Sequence, residues 1–175
     1  MKSRHFLAAF IVSLLAPTIG VGQTPVETDR TSQREVVTFE RLLTASQDAA
    51  NCLTYSGQYN SQRYSRLDQI NDETVSKLRV KWVRQFQTQE EVETSPLVVN
   101  GVMFLTLAEN KVWTLDAESG LPFWNYELPL PDQLSLCCGK INCGLAMLGD
   151  TLYMGTFNAQ LVALDAKSGN VRWQV

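Results

Sequence analysis

The stretch Val112-Trp113-Thr114-Leu115-Asp116-Ala117-Glu118-Ser119-Gly120, followed by Trp124, recurs as Leu161-Val162-Ala163-Leu164-Asp165-Ala166-Lys167-Ser168-Gly169, followed by Trp173. The aspartate, glycine and tryptophan are each displaced by 49 residues. The register continues upstream without a gap: Met103-Phe104-Leu105 falls on Leu152-Tyr153-Met154, and Asn100-Gly101 on Gly149-Asp150. A constant period of this size marks a repeat architecture, in which one supersecondary unit is copied and stacked.

Each copy reads as four strands. Apolar runs at 97–99 and 146–148 lead through a tight turn to strands at 102–107 and 151–155. Third strands follow at 111–116 and 160–165, then an Asp-Ala-x-Ser-Gly turn and a fourth strand near the tryptophan. Asn100-Gly101 suits a two-residue hairpin, because type I′ turns need positive φ at both positions. Four antiparallel strands in about 50 residues match a β-propeller blade. A βα solenoid is the rival, but no segment of helical period separates the strands. The fold predicted is all-β: an incomplete propeller of about two blades over residues 78–175, preceded by a short helix and lead-in segment over 36–77. Two blades cannot close a ring, so exposed faces and an unpaired edge are expected.

Ahead of the repeats, residues 38–50 read as a short helix capped by Thr38, with Phe39, Leu42, Leu43 and Ala50 roughly on one face. Residues 57–66 form a polar loop. Residues 78–82 alternate as a half-buried strand, with Leu78, Val80 and Trp82 on one side.

The N-terminus reads as an export signal over residues 1–22: a positive start (Lys2, Arg4), an apolar run at 6–16, then Pro17 and small residues. That run is shorter than the ~20 apolar residues that span a bilayer. Residues 23–35 are polar and read as a flexible leader. Without the signal the chain carries 13 basic against 18 acidic residues and loses its single histidine, His5. This balance argues against nucleic acid and anionic membrane as partners, and it excludes histidine base or ligand chemistry. Export to the periplasm or beyond places Cys52, Cys137, Cys138 and Cys143 where disulfides persist, with three fully paired connectivities open. No Gly-rich phosphate loop is present.

Three further segments narrow the reading: residues 53–71 (LTYSGQYNSQRYSRLDQIN), Glu93-Thr94-Ser95-Pro96 before the first repeat, and the adjacent Cys137-Cys138 with Asn142 and Gly144. With the tryptophan repeats, they resemble the pyrroloquinoline-quinone (PQQ)-dependent alcohol dehydrogenases over about residues 36–175. The resemblance implies that Trp124 and Trp173 pack across to the next blade. It implies a periplasmic oxidoreductase that oxidises an alcohol with PQQ and calcium and passes electrons to a cytochrome. It further implies cofactor contacts from Glu93, from Thr156, and from Cys137 and Cys138 as a vicinal disulfide stacked on the quinone. The plainer readings are a solvent-facing carboxylate, a half-buried strand threonine, and either two thiols or two separate bridges.

This sequence also departs from the pattern. Cys143 stands where the family has an arginine facing a cofactor carboxylate, Cys52 where it has tryptophan, and Arg66 where it has proline. By the same resemblance the catalytic aspartate, the calcium ligands and a second stacking tryptophan belong beyond Val175. No residue is assigned as catalytic or as a metal ligand, and the expectation is a partial product, inactive alone, whose partners include the remaining blades. The alternative is an exported propeller-repeat binding or scaffold module without cofactor.

Overall fold

The computed structural model of the protein describes residues 36–131, 134 and 139–175. The signal and leader regions expected at 1–35, and the pair Cys137-Cys138, lie outside the described residues. Among those described, eight strands form two four-stranded antiparallel sheets, each in chain order. The first contains β1 (Leu97–Val99), β2 (Val102–Leu107), β3 (Lys111–Asp116) and β4 (Pro122–Glu127). The second contains β5 (Ala146–Leu148), β6 (Thr151–Gly155), β7 (Leu161–Asp165) and β8 (Val171–Gln174). Strand β7 starts one residue later than the repeat predicts. The Gln160 amide donates to the Thr156 hydroxyl and its carbonyl accepts from the Thr156 amide, which closes a turn there. Between β1 and β2, Asn100 and Gly101 both have positive φ, at 50° and 79°, as the type I′ reading requires.

The repeated turn explains its own sequence. Asp116 Oδ1 accepts from the amides of Glu118 and Ser119 and from the Ser119 hydroxyl. Asp165 Oδ1 does the same for Lys167 and Ser168. This side-chain mimic of a backbone turn is why aspartate and serine recur at these places. The glycine that follows has φ +72° in the first copy and +74° in the second. An indole lies flat over each of them. A Cβ on Gly169 would sit 2.6 Å from Trp124 Cε3, and the Trp124 Nε1–H donates to the Ala166 carbonyl at 3.3 Å. The tryptophan of one sheet therefore docks on the turn of the next, through a contact only glycine permits.

Strand alternation divides the core. Val102, Phe104 and Val112 of the first sheet face Leu152, Met154, Val162 and Leu164 of the second, with Leu42, Ala45 and Leu53 of the lead-in segment closing the same cluster. The opposite face of the first sheet buries Leu105, Leu107 and Leu115 under Trp82, Phe86, Met103 and Trp113.

Two expectations are corrected here. The helix predicted over 38–50 is only α1 (Phe39–Leu43), followed by a 3-10 turn at Ala45–Gln47. Thr38 does cap it, its hydroxyl accepting from the Arg41 amide at 3.2 Å. However, Phe39, Leu43 and Ala50 are exposed, and Leu42 and Ala45 make the contact with the sheets. A helix this short cannot present a continuous apolar face, so single anchors take its place. Residues 78–82 are not a half-buried strand either: no strand pairs with them, and Leu78 and Val80 are 54% and 81% exposed. Trp82 is what matters in that segment. Its Nε1–H donates to the Ala117 carbonyl at 3.2 Å, and a Cβ on Gly120 would lie 2.5 Å from its Cε3. These contacts match those of Trp124 on the second sheet, so residues 81–86 stand where the fourth strand of a preceding sheet would.

Candidate functional site

Antiparallel order decides which loops share an end. Glu93, Thr94 and Ser95 precede β1, residues 139–145 precede β5, and the loops at 108–110 and 156–160 follow β2 and β6. All four stretches therefore lie at one rim of the two sheets. The hairpins at 100–101 and 149–150 and the Asp-Ala-x-Ser-Gly turns lie at the other.

Buried hydroxyls join the rim segments. Thr106, fully buried on β2, donates from its hydroxyl to the Asn142 carbonyl at 2.7 Å. That leaves the Thr94 hydroxyl to donate to Thr106 Oγ1, at 3.1 Å, while it accepts from the Thr106 amide. The Ser95 amide donates to the Cys143 carbonyl at 3.2 Å. Asn142 holds the second sheet as well, donating to the Gly155 carbonyl and accepting from the Gly144 amide. Satisfied buried networks of this kind fix one arrangement, because any broken member leaves a dry polar group unpaired.

A charged cluster anchors the start of the same loop. Glu109 accepts from Lys140 at 2.8 Å and from Lys111 at 2.9 Å, and its amide donates to the Lys140 carbonyl. The Lys140 contact, then the Lys111 contact, hold the Glu109 carboxyl below the ordinary carboxylate range, and both lysines are raised in return by Glu109. Further along the rim, the Asn110 side chain accepts from the Phe157 amide at 3.1 Å and bridges the two sheets.

The predicted residues fall as follows. Glu93 is exposed, two residues before the Ser95–Cys143 contact, so the structure brings it to the segment that carries Cys143. Thr156 sits on the rim loop of the second sheet, but its hydroxyl donates to the Gln160 carbonyl and accepts from the Gln160 amide. It is tied to the first sheet through Phe157 and Asn110 rather than directly to Glu93. Cys137 and Cys138 lie outside the described residues. Cys52 and Cys143 are free thiols, so neither belongs to a second bridge. Burial chiefly pushes the Cys52 thiol up, against a weaker backbone hydrogen bond at Gly57, and its backbone pairs with Val98 beside β1. Among the described residues no group of three or more His, Cys, Asp or Glu could hold a metal ion, and no helix is long and apolar enough to cross a membrane.

Beside the Glu93–Ser95 segment is a cavity of about 500 Å³, lined among others by Cys52, Tyr55, Arg63, Arg66, Thr94 and Ser95. Arg63 lies 5.4 Å over the Tyr55 ring. Tyr55 Cδ2 is 3.7 Å, and the Ser95 carbonyl 3.4 Å, from where a Cβ on Gly144 would lie.

A repeat rim of this kind has known counterparts. The family model described as "PQQ: Glucose/ethanol/alcohol dehydrogenase, beta-propeller domain" matches residues 53–144, more than half of the chain. The chain belongs to the PQQ-dependent alcohol dehydrogenase propeller family. It is 42% identical over 125 residues to the dehydrogenase subunit of an alcohol dehydrogenase (quinone) of Gluconobacter oxydans, covering 70% of this chain and 16% of that protein. It is 35% identical over 139 residues to a quinoprotein ethanol dehydrogenase of Pseudomonas putida, covering 78% of this chain and 22% of that one. Among solved structures, a quinohemoprotein alcohol dehydrogenase of Pseudomonas putida aligns with TM-score 0.74 and 32% identity over 81% of this chain and 21% of its own. A europium-containing methanol dehydrogenase aligns with TM-score 0.73 and 30% identity, over 78% and 24%. The chain thus spans less than a quarter of the length of these relatives.

Ser95 and Arg63 line the cavity beside Tyr55, whereas Glu93 and Thr156 do not. Sequence reasoning put Trp82 on one face of a strand without its partner Gly120, and missed Thr106 and Asn110. The repeat register does not point to Trp82, because it precedes Gly120 by 38 residues whereas Trp124 precedes Gly169 by 45. The others depend on contacts between segments far apart in sequence, for which no local signal exists.

Proposed function

We propose that the chain forms one side of the cofactor site of an exported quinoprotein dehydrogenase that oxidises an alcohol, and that by itself it does not turn over. Glu93 offers a hydrogen-bonding carboxylate to the cofactor edge. Cys137 and Cys138, as a vicinal disulfide, supply the platform under one face, and Thr156 adds a contact from the second blade through the lone pair its turn leaves free. When bound, the quinone supplies the two-electron acceptor, from which a cytochrome draws electrons in the whole enzyme. The residues here bind, orient and shield, since proton abstraction needs a positioned base together with a Lewis acid and no such pair is assigned in this chain. The observation carrying this reading is the Ser95–Cys143 contact with the Thr94–Thr106–Asn142 relay behind it, which holds the Glu93 segment against the segment that follows the cysteine pair. The export signal read over residues 1–22 supports a periplasmic location.

Three measurements test it. Purified chain with PQQ, calcium and ethanol should show no alcohol-dependent dye reduction, and measurable reduction would overturn the claim of inactivity. Mass spectrometry of the unreduced protein should find a bridge joining residues 137 and 138; two free thiols there would remove the platform. Absence of saturable quinone binding would leave the scaffold reading in its place.

A further inference from the structure

We propose that the chain associates head to tail: the open face of its second sheet seats on the first sheet of a second copy, at the Gly120 turn that Trp82 covers. Both halves of that interface are present in one chain. Val99, Phe104, Val112 and Trp124 of the first sheet pack into the core between the sheets. The residues 49 positions on are Leu148, Tyr153, Leu161 and Trp173. They face no third sheet among the described residues, and Leu148, Leu161 and Trp173 are 47%, 40% and 43% exposed. The receiving surface repeats in the same way. Leu152, Met154, Val162 and Leu164, which meet the first sheet, correspond to Met103, Leu105, Trp113 and Leu115. The turn from Asp116 to Gly120 has the same side-chain hydrogen bonds and positive glycine φ as the turn on which Trp124 docks. A second copy therefore presents to Trp173 the surface that the second sheet presents to Trp124.

What occupies that surface is a lone segment. No strand pairs with residues 78–86 among those described, and Val80 and Val83 stay 81% and 82% exposed. Side chains alone hold it: the Trp82 indole on Gly120, Lys81 on Glu118 at 3.0 Å, and Arg84 and Phe86 against Trp113. Val80-Lys81-Trp82 is matched by Val171-Arg172-Trp173 in β8. The residue before the indole is basic in both, and Glu118 on the receiving turn is acidic. In its own sheet Arg172 bonds to Asp150 and Asp165, which sets β8 in place before docking. A four-stranded sheet that carries its tryptophan in this way buries more apolar surface than a single unpaired segment, and the gain scales with area. Donor and receiver are different surfaces, so the contact is heterologous and closes into a ring when the rotation permits. Propellers hold about four to eight blades, so copies of two sheets each should close at roughly two to four. No quinone is required.

The test is analytical ultracentrifugation of the purified full chain over a range of concentrations. Wild type should form a discrete oligomer of roughly two to four copies. W173A should weaken assembly at least about thirtyfold, the scale of a tryptophan central to an interface. L161D should act likewise and keep its fold, since Leu161 is exposed. W82A should instead tighten assembly by about tenfold, because it empties the receiving turn, and the double variant W82A/W173A should return to monomer. W173A, monomeric alone, should still bind one wild-type chain through its intact Gly120 turn. If circular dichroism shows W82A unfolded, the W173A and L161D arms decide alone. A wild type that stays monomeric at every concentration overturns the proposal, as does assembly that survives W173A or is weakened by a folded W82A. Failure of W173A to bind wild type also overturns it, and that is the result a symmetric contact between two Trp173 faces would give.

Discussion

Replacing Gly169 by alanine puts a methyl group into the indole of Trp124. The new Cβ would lie 2.6 Å from Cε3 and 2.8 Å from Cδ2, where carbon atoms prefer about 3.5–4.0 Å. Relief requires the ring to move by about 1 Å. The ring is held by its Nε1–H bond to Ala166 and by the Phe104 ring at 6.4 Å between centroids. Overpacking of this kind costs about 1–3 kcal/mol. Positive φ adds roughly 1–2 kcal/mol for a residue with a side chain, and the stiffer unfolded chain returns about 0.4–1 kcal/mol. The net expectation for Gly169→Ala is a loss of about 2–4 kcal/mol, which corresponds to a fall in Tm of roughly 5–15 °C for a domain of this size. Gly101→Ala is the control: its φ is +79°, yet nothing lies within 4 Å of the added Cβ, so it carries only the backbone strain. Urea unfolding followed by circular dichroism should separate the two variants by about 1–3 kcal/mol. Trp124→Ala should remove that gap in a double-mutant cycle. Equal stabilities for the Gly169 and Gly101 variants would refute the claim that the indole docks on the glycine turn.

Trp82→Ala should cost about 2–3 kcal/mol, below the usual range for a fully buried tryptophan because Trp82 is only half-buried. Hydrogen exchange should quicken in β2 and β3, whose Leu105, Leu107 and Leu115 it covers, before β6 and β7; uniform quickening would argue against a separate cluster. In acid, the Asp165 carboxyl is held down to about 2, chiefly by the Arg172 hydrogen bond. A depressed folded-state pKa contributes stability that is complete above the ordinary aspartate value near 3.8 and is lost as pH falls toward about 2. Urea midpoints should therefore drop across that window, and less steeply in Asp165→Asn; identical slopes would remove Asp165 as a cause.

The repeat, its strands and its turns were legible in the sequence because each is written in neighbouring residues. The 49-residue register aligns β2 and β3 with β6 and β7, Asn100-Gly101 defines a hairpin, and Asp116 and Ser119 close a four-residue turn. The family was legible for the same reason, through contiguous motifs such as Glu93-Thr94-Ser95-Pro96. Local pattern failed where the chain lacks a local partner. Residues 78–82 alternate like a strand, yet no neighbour pairs with them and Trp82 takes its meaning from Gly120. The periodicity at 38–50 outran the five residues of α1 because two anchors in the sheet core, Leu42 and Ala45, satisfy that segment without a long helix. Only the tertiary structure could set Ser95 against Cys143, bury Thr106 between Thr94 and Asn142, and bring Arg63 onto Tyr55 beside Gly144. Those relations join segments up to 89 residues apart, and they are decided by how the segments pack rather than by the preferences of any one stretch.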